Sequence, residues 1–202
     1  MSEEHLERRR RQILDAARAC FIRKGFHETS MQDIFAEADL SAGAVYRYFK
    51  SKTEIVEAIA SEAISMLGVT LHEIVAEDPP PPPDQALERV TTKLVEIGES
   101  YLGSFMLAPQ AWSLAMHDSD YRNYVQGIMR PVRELWTSYA EHLRDTGMLP
   151  ADTDPQAVSK TLLALLPGFI IQRVILGDVS PETLRDGLHA LTHSSAASTR
   201  PS

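Results

Sequence analysis

The segment 41–49, Ser-Ala-Gly-Ala-Val-Tyr-Arg-Tyr-Phe, combines residue types that suit contact with a phosphate backbone. Ser41 can cap a helix N-terminus, where free N–H groups and a partial positive charge attract phosphate oxygens. Gly43 removes side-chain bulk where a helix approaches a duplex, and Tyr46 and Tyr48 carry hydroxyl donors. The spacing therefore predicts a short helix whose outer face binds a nucleic-acid groove.

Helical periodicity divides this segment into two faces. Val45 and Phe49 fall four residues apart and are expected to face the core. The positions then left for the outside are Ser41, Ala42, Gly43, Tyr46 and Arg47. By periodicity alone, Tyr46 and Tyr48 fit the rim of a core as well as they fit a DNA contact.

Helix-start signals surround the segment. Apolar residues recur at spacings of three and four over residues 13–21, which predicts a first helix. Thr29 with Gln32, and Ser51 with Glu54, match capping boxes that begin a second and a fourth helix. Three short helices with a tight turn before the third describe a helix-turn-helix.

Cationic groups are concentrated near the N-terminus, although the net charge of the chain is -8. Residues 1–50 hold nine Lys and Arg against eight Asp and Glu, so residues 51–202 hold the remaining eleven and twenty. Lys52 lies in the first turn of the fourth helix, where the helix dipole disfavours a cation, and a phosphate partner would explain it. The run 8–11 is either a solvated helix start or an arm that reaches the DNA backbone.

The remainder of the chain is predicted to be helical as well. The proline run 79–83 is either an extended spacer between two helical regions or a ligand for a proline-recognition domain. Helix starts are predicted at Asp84, Asp154 and Ser180, and the last two precede a first-turn proline. Residues 194–202 are small and polar and are expected to fray. The fold class is therefore all-α, with about nine helices.

Two groups of apolar residues suggest binding surfaces in the C-terminal part. Residues 162–176 are apolar around almost the whole helix circumference, so either a partner subunit or the interior of the domain covers them. A set of aromatic and methionine side chains either forms ordinary core or lines a cavity for a hydrophobic or cationic ligand. The candidate ligand-binding residues are Phe105, Trp112, Met116, Tyr121, Tyr124, Trp136 and Phe169.

Other functional classes have little support in the sequence. The phosphate-loop, nucleophile-elbow and zinc-protease motifs do not occur, so we expect no enzyme, no cofactor and no metal site. His189 and His193 lie four residues apart without a third ligand. Cys20 is either plain core or a redox sensor. Because a single cysteine cannot form an intrachain disulfide, we expect a reducing, cytoplasmic setting. No signal peptide or membrane span is predicted, so we expect no membrane partner.

The region from about Ile13 to Leu67 resembles the TetR (tetracycline-repressor-like) family of transcriptional regulators. The matching motifs, in chain order, are Gly25-Phe26, Thr29-Ser30 leading to Ile34, Leu40-Ser41-Ala42-Gly43 with Tyr46, Tyr48-Phe49, and Ser51-Lys52. Asp39 stands where the family turn often has glycine, and Asp tolerates a left-handed conformation better than most residues. Ala42 and Ala44 replace a commoner lysine and threonine, so base reading is expected to use thymine-methyl contacts and Arg47.

The resemblance implies a homodimeric repressor that binds a palindromic double-stranded DNA operator and is released by a small molecule. Residues 1–52 would form the helix-turn-helix DNA-binding domain, and residues 53–202 the larger ligand-binding and dimerisation domain. The implied phosphate contacts are Thr29, Tyr46, Tyr48 and Lys52, and the implied base-facing residues are Ser41, Ala42 and Gly43. The implied dimer interface comprises Leu162, Leu166, Ile170, Val174, Leu184 and Leu188. A helical protein-binding adaptor without DNA affinity, or an enzyme, is the alternative function.

Overall fold

The computed structural model describes residues 3–100 and 104–193, and every regular element in these ranges is helical. The predicted all-α class, with an N-terminal helix-turn-helix followed by a larger helical region, is confirmed. A 3₁₀ turn, Ser104–Met106, precedes α6. The helices are α1 (Glu3–Lys24), α2 (Met31–Glu37), α3 (Ala42–Tyr46), α4 (Lys52–Ala76), α5 (Pro83–Ser100), α6 (Leu107–His117), α7 (Ser119–Asp145), α8 (Pro155–Ile175) and α9 (Pro181–His193). The predicted tail 194–202 lies outside the described residues.

The helices form two compact units. Unit 1 consists of the residues up to Ser65 together with Glu96–Arg130. Unit 2 consists of Met66–Val95 together with the residues from Pro131 onward. Helices α4, α5 and α7 contribute residues to both units. The functional division predicted at residue 52 stays a prediction.

The core of unit 1 forms around the apolar stripe of α1. Ile13, Ala17 and Phe21 on α1 pack with Ile34 of α2 and Val45 of α3, and all five side chains are buried. Cys20 belongs to the same cluster, and burial raises the pKa of its thiol above the ordinary value. A buried thiol that resists ionisation is a weak nucleophile, which supports the core role of Cys20.

A charge network joins α1 to α4 inside unit 1. The Arg18 guanidinium is almost fully buried and pairs with Glu62 on α4 and with Asp15, the latter at 2.8 Å. Arg10 pairs with the other Glu62 oxygen at 2.8 Å, and its guanidinium lies over the Phe49 ring. The run 8–11 is therefore part of a regular helix, and Arg10 is engaged within the unit.

The start of α2 differs from the prediction by one residue. Ser30 caps the helix: its hydroxyl oxygen accepts the Asp33 N–H at 3.1 Å, and the Asp33 carboxylate accepts the Ser30 N–H at 2.8 Å. Hydrogen bonds from Lys24 and Ser30 hold the pKa of the Asp33 carboxyl well below its usual range. The capping box predicted for Thr29 and Gln32 is wrong because Asp33 reaches Ser30.

The start of α4 follows the prediction more closely. Ser51 Oγ accepts the Glu54 N–H at 3.1 Å, as the predicted capping box requires. The Glu54 carboxylate accepts the N–H of Lys50 at 2.7 Å, one residue before the predicted donor. This cap fixes the point at which the chain turns from α3 into α4.

Unit 2 has a second core, which several predicted signals help to build. Asp154 caps α8 by accepting the Gln156 N–H at 2.9 Å, as predicted. The proline run joins α4 to α5, and the buried Tyr139 hydroxyl donates to the Pro81 carbonyl at 2.6 Å. Helix α7 continues through Pro131 without ending there.

Helices α4 and α8 are long and apolar enough to cross a bilayer, judged by length and composition. Both helices also carry buried residues, among them Leu67 and Leu71 on α4 and Leu162 and Leu166 on α8. Core helices of globular proteins share these properties.

Candidate nucleic-acid interface

The turn between α2 and α3 is fixed by backbone geometry and by one side chain of α1. Asp39 has a φ of 51°, the left-handed conformation that its short polar side chain tolerates. The N–H of Leu40 donates to the Phe35 carbonyl at 3.1 Å, which closes the turn. Gln12 Nε2 donates to the Ala38 carbonyl at 2.7 Å and so ties the turn to α1.

Helix α3 has the two faces that its periodicity predicts. Val45 and Phe49 are buried in the core of unit 1. The exposed positions are Ser41, Ala42, Gly43, Tyr46 and Arg47. Ser41 caps the helix, with its Oγ 3.3 Å from the Ala44 N–H. The predicted outward face is therefore accessible.

The two tyrosines of this segment occupy different environments. Tyr46 is 47% exposed, and its ring makes an edge contact with Phe35 at a centroid distance of 5.3 Å. Tyr48 is half-buried and packs against the core cluster. The core-rim alternative therefore describes Tyr48 better than Tyr46.

Gly43 lies at the exposed start of α3. Apart from its chain neighbours and the backbone of its own helix, a methyl group added at Gly43 would meet no heavy atom of the described residues within 4 Å. The space beside this residue is therefore open, and the protein interior does not require glycine here. Close approach of a duplex is a physical reason for glycine at this position.

Thr29 does not have the side-chain environment that a phosphate contact requires. Its side chain is 1% exposed, and its hydroxyl donates to the carbonyls of Gly25 at 2.7 Å and Cys20 at 3.3 Å. The Thr29 hydroxyl therefore holds the loop before α2, and the phosphate contact predicted at Thr29 stays a prediction. Its neighbour Ser30 is exposed at the N-terminus of that helix.

Lys52 has a structural role that sequence reasoning missed. Its ammonium donates to the carbonyls of Phe26 at 2.5 Å, Thr29 at 2.7 Å and His27 at 3.4 Å. It also lies 4.3 Å from the centre of the Phe26 ring, and burial lowers its pKa. These carbonyls account for a cation at the start of α4, so no phosphate partner is needed to explain it.

Two glutamines also hold the surroundings of α2 and α3, and periodicity gives no signal for them. Gln12 contacts the turn before α3, as described above. Gln110 of α6 accepts the Phe26 N–H at 2.7 Å and donates to the Phe21 carbonyl at 3.4 Å. Both are long-range contacts between an amide side chain and the backbone, which local sequence patterns do not encode.

The seven predicted ligand residues fall into both units. Phe105, Trp112, Met116, Tyr121 and Tyr124 belong to unit 1, and Trp136 and Phe169 belong to unit 2. Tyr121, Trp136 and Phe169 are fully buried, whereas Met116 is exposed. The Tyr121 hydroxyl and the Trp136 Nε1–H are buried and have no hydrogen-bond partner among the residues that the structure describes.

The predicted dimer residues also divide into two groups. Leu162, Leu166 and Ile170 are buried within a single chain, which corrects their assignment to a subunit interface. Val174, Leu184 and Leu188 are half-buried. The apolar residues that a single chain leaves exposed in this region are Ile171, Ile175, Leu176 and Leu191.

Comparison with known families identifies the class of protein. The sequence model described as bacterial regulatory proteins, tetR family, matches residues 13–59. The model described as BetI-type transcriptional repressor, C-terminal, matches residues 107–197. The two matches together span more than half of the chain. The protein belongs to the TetR family of DNA-binding transcriptional regulators.

Individual relatives agree with this assignment over most of the chain. YvkB of Bacillus subtilis, an uncharacterized HTH-type transcriptional regulator, is 22% identical over 172 residues, covering 83% of this chain and 84% of YvkB. Salmonella enterica GusR has a TM-score of 0.74 at 24% identity, covering 91% of this chain and 94% of GusR. FadR of Bacillus subtilis, solved with stearoyl-CoA, has a TM-score of 0.75 at 16% identity, covering 89% of this chain and 95% of FadR. The two structures show the shared fold.

The variant Gly43→Ala tests whether the open space beside this residue serves close contact with DNA. We expect Gly43→Ala to weaken binding to a DNA duplex that the wild type selects from a random pool about tenfold, since an added methyl would displace a close backbone contact. Folding should be unaffected or stabilised by up to about 1 kcal/mol, because alanine is favoured over glycine in a helix. Gly68→Ala on α4 is the matched control, since its added methyl also meets no described heavy atom beyond its chain neighbours and its own helix backbone. Equal affinity of both variants would count against close approach at Gly43.

The variant Lys52→Met tests whether the Lys52 ammonium stabilises the fold through backbone carbonyls or contacts a phosphate. We expect Lys52→Met to lower the free energy of unfolding by about 1–3 kcal/mol, because the variant loses its hydrogen bonds to backbone carbonyls. Lys50→Met removes the same charge from an exposed side chain and should leave stability unchanged. Urea unfolding and the salt dependence of DNA binding are measured for both variants. Unchanged stability of Lys52→Met with a reduced salt slope would restore the direct phosphate role.

Proposed function

We propose that the protein is a homodimeric repressor that binds a palindromic operator and dissociates when a small hydrophobic effector binds its C-terminal helices. The accessible outer face of α3 is the observation that carries the DNA-binding part. This face presents a serine cap, two small residues, a tyrosine and an arginine, while Val45 and Phe49 anchor the helix from behind.

The chemistry of the α3 face fits a major groove. Ser41, Ala42 and Gly43 form a tip of small residues that can approach base edges, and the Ala42 methyl suits a thymine methyl. Arg47 adds a planar donor group able to contact guanine or a phosphate. The Tyr46 hydroxyl and the exposed Ser30 at the start of α2 supply phosphate contacts. Tyr48 contributes only through the part of its side chain that solvent reaches.

A second copy of the chain is the proposed partner for the exposed apolar face of α8. Ala164, Gly168, Ile171 and Ile175 follow one another at spacings of three and four and share this face. Ile175 is 72% exposed in the single chain. A two-fold axis through this face would pair two α3 helices, and such symmetry requires a palindromic operator.

The effector part of the proposal draws on aromatic residues and on one structural relative. FadR of Bacillus subtilis was solved with stearoyl-CoA, a ligand with a long apolar chain. In this protein, Trp136 is fully buried, and its indole N–H has no acceptor within the described ranges of the chain. A buried donor of this kind suits a ligand acceptor or a bound water. Effector binding would favour a spacing of the two α3 helices that no longer fits one DNA turn.

The proposal places the protein in the cytoplasm, with DNA as its partner and no catalytic activity. Its named relatives are regulators. An adaptor that binds only proteins would have no affinity for DNA at low salt, whereas a repressor binds duplexes tightly under that condition.

The operator prediction is tested by selecting bound duplexes from a random pool with the full chain. We expect an inverted repeat whose half-sites lie on one face of the duplex, because two symmetric α3 helices read it. We expect Arg47→Ala to weaken DNA binding by about 1–3 kcal/mol of binding free energy and to relax the preference for one base of the operator. Recovery of no enriched sequence, with no mobility shift at low salt, would falsify the repressor assignment.

The dimer prediction is tested by the mass of the protein in solution. We expect Ile175→Glu to convert the dimer to a monomer, because two charges would be buried at the two-fold face. Val69→Glu changes an exposed apolar residue on α4 and serves as the matched control. Light scattering across a dilution series gives the mass of each variant. A wild-type chain that is already monomeric at micromolar concentration contradicts the proposed interface.

A further inference from the structure

Helices α5 and α9 are joined by two ion pairs within unit 2. Arg185 of α9 donates from Nη1 to Glu88 Oε1 of α5 at 2.6 Å. One turn away on each helix, His189 Nδ1 lies 2.8 Å from Asp84 Oδ2. Because residue numbers rise along α9 as they fall along α5, the two helices run antiparallel here. The first turn of α5 therefore meets the C-terminal half of α9.

The Asp84 carboxylate lacks a full set of partners. Its side chain is 8% exposed, and its Oδ1 atom is buried with no hydrogen-bond partner among the described residues. Over the same ranges, its one ion-pair partner is His189. The dipole of α5 favours a negative charge in its first turn, but a buried charge is costly unless it is paired. A positive charge carried by the His189 ring would therefore stabilise this contact.

The hydrogen bonds of two histidines indicate which ring nitrogens are protonated. The His189 Nδ1 faces a carboxylate oxygen, and the His193 Nδ1 lies 3.0 Å from the His189 carbonyl oxygen and from Thr192 Oγ1. The Thr192 hydroxyl donates to the Leu188 carbonyl at 2.9 Å, so its oxygen acts as an acceptor toward His193. Because carboxylate and carbonyl oxygens accept hydrogen bonds, each Nδ1 carries the proton. In a neutral ring, the Nε2 atom then presents a lone pair.

The two histidine rings are close enough to share one ion. His189 and His193 lie four residues apart on one face of α9, and their rings are stacked with 4.1 Å between centroids and 19° between planes. Two metal–nitrogen bonds of about 2.0–2.1 Å each bridge nitrogens up to about 4 Å apart. Both histidines are exposed, so an ion in solution can reach them.

We propose that His189 and His193 bind a divalent transition-metal ion through their Nε2 atoms, and that Asp84 positions the His189 ring. Imidazole nitrogen suits Zn²⁺, Cu²⁺ and Ni²⁺, so the ion belongs to this class. A metal-binding histidine typically donates its other ring N–H to a carboxylate or a backbone carbonyl, and the two Nδ1 atoms here meet one of each. Among the described residues, no group of three His, Cys, Asp or Glu is placed to hold a metal, so water fills the other coordination positions.

This site differs from the sequence prediction for the same residues. No metal site was expected at His189 and His193, because no third ligand accompanies them in the sequence. Asp84 lies 105 residues earlier in the chain, so local spacing gives no sign that it reaches His189. Its role is to fix the tautomer and orientation of that ring rather than to bind the ion. The site belongs to unit 2, whereas α3 belongs to unit 1, and it does not depend on the proposed repressor function.

A bound ion would hold α9 more firmly against α5. The ion draws electron density from the His189 ring, which strengthens the hydrogen bond from Nδ1–H to Asp84 and compensates the buried negative charge. An ion that binds the folded chain in preference to the unfolded chain raises the melting temperature. Saturating Zn²⁺ should therefore raise the melting temperature of the wild type more than that of His193→Gln.

The test uses the untagged full chain and three probes, the chlorides of Zn²⁺, Cu²⁺ and Ni²⁺. Calorimetry at neutral pH measures their binding, and we expect saturable binding of at least one ion, with one ion per chain. Asp84→Asn should bind about tenfold more weakly, since loss of the partner of a metal-binding histidine costs about 10–100-fold in affinity. His189→Gln and His193→Gln each remove a ligand and should weaken binding at least as much.

The spectrum of bound Cu²⁺ separates a ligand from a positioning residue. Pulsed EPR counts the imidazoles on the ion, and we expect two in the wild type and in Asp84→Asn but one in either histidine variant. His72→Gln changes an exposed histidine on α4 and is the matched control, which should bind like the wild type. Circular dichroism checks the folding of each variant. His193→Gln changes an exposed side chain, so it tests the site even if Asp84→Asn unfolds.

Several results would overturn the metal site. These are no saturable binding of any of the three ions, an equal loss of affinity in His72→Gln, or undiminished affinity in His189→Gln or His193→Gln. Fewer than two imidazoles on Cu²⁺ bound to the wild type would also reject it. Undiminished affinity in Asp84→Asn would reject the positioning role of that carboxylate.

Discussion

The exposed face of α3 depends on the burial of the opposite side of this very short helix. Helix α3 has five residues, and an isolated helix shorter than about 12 residues is marginal in water. Val45 and the following Phe49 supply the missing stabilisation, because burying each side chain contributes about 1.5–3 kcal/mol. The exposed residues between them therefore owe their orientation to the core behind the helix.

Polar contacts from three other helices hold the surroundings of α3 in place. Gln12 of α1 binds the carbonyl before the turn, and Gln110 of α6 binds the backbone at the end of α1. Lys52 of α4 gathers the carbonyls of the loop before α2. The position of the loop before α2 therefore depends on helices that are distant from it in the sequence.

The sequence predicted the helices of the helix-turn-helix region well, and it predicted individual contacts there less well. The two faces of α3 and the left-handed Asp39 were predictable, because periodicity and conformational preference are local. The capping box at Thr29 was wrong by one residue, since Asp33 is as good a partner for Ser30 as Gln32 would be for Thr29. A Ser-x-x-Asp pattern was present in the sequence and could have indicated the correct cap.

The sequence by itself determined that the chain is helical, where its main helices begin, and which side of α3 turns outward. These properties follow from spacing and capping within a few residues. Only the tertiary structure decided that Lys52 binds backbone carbonyls, that Leu162 and Leu166 face inward, and that Gln110 accepts the Phe26 N–H. Each of these depends on segments distant in the chain, whose packing determines which side chains share a low-dielectric environment.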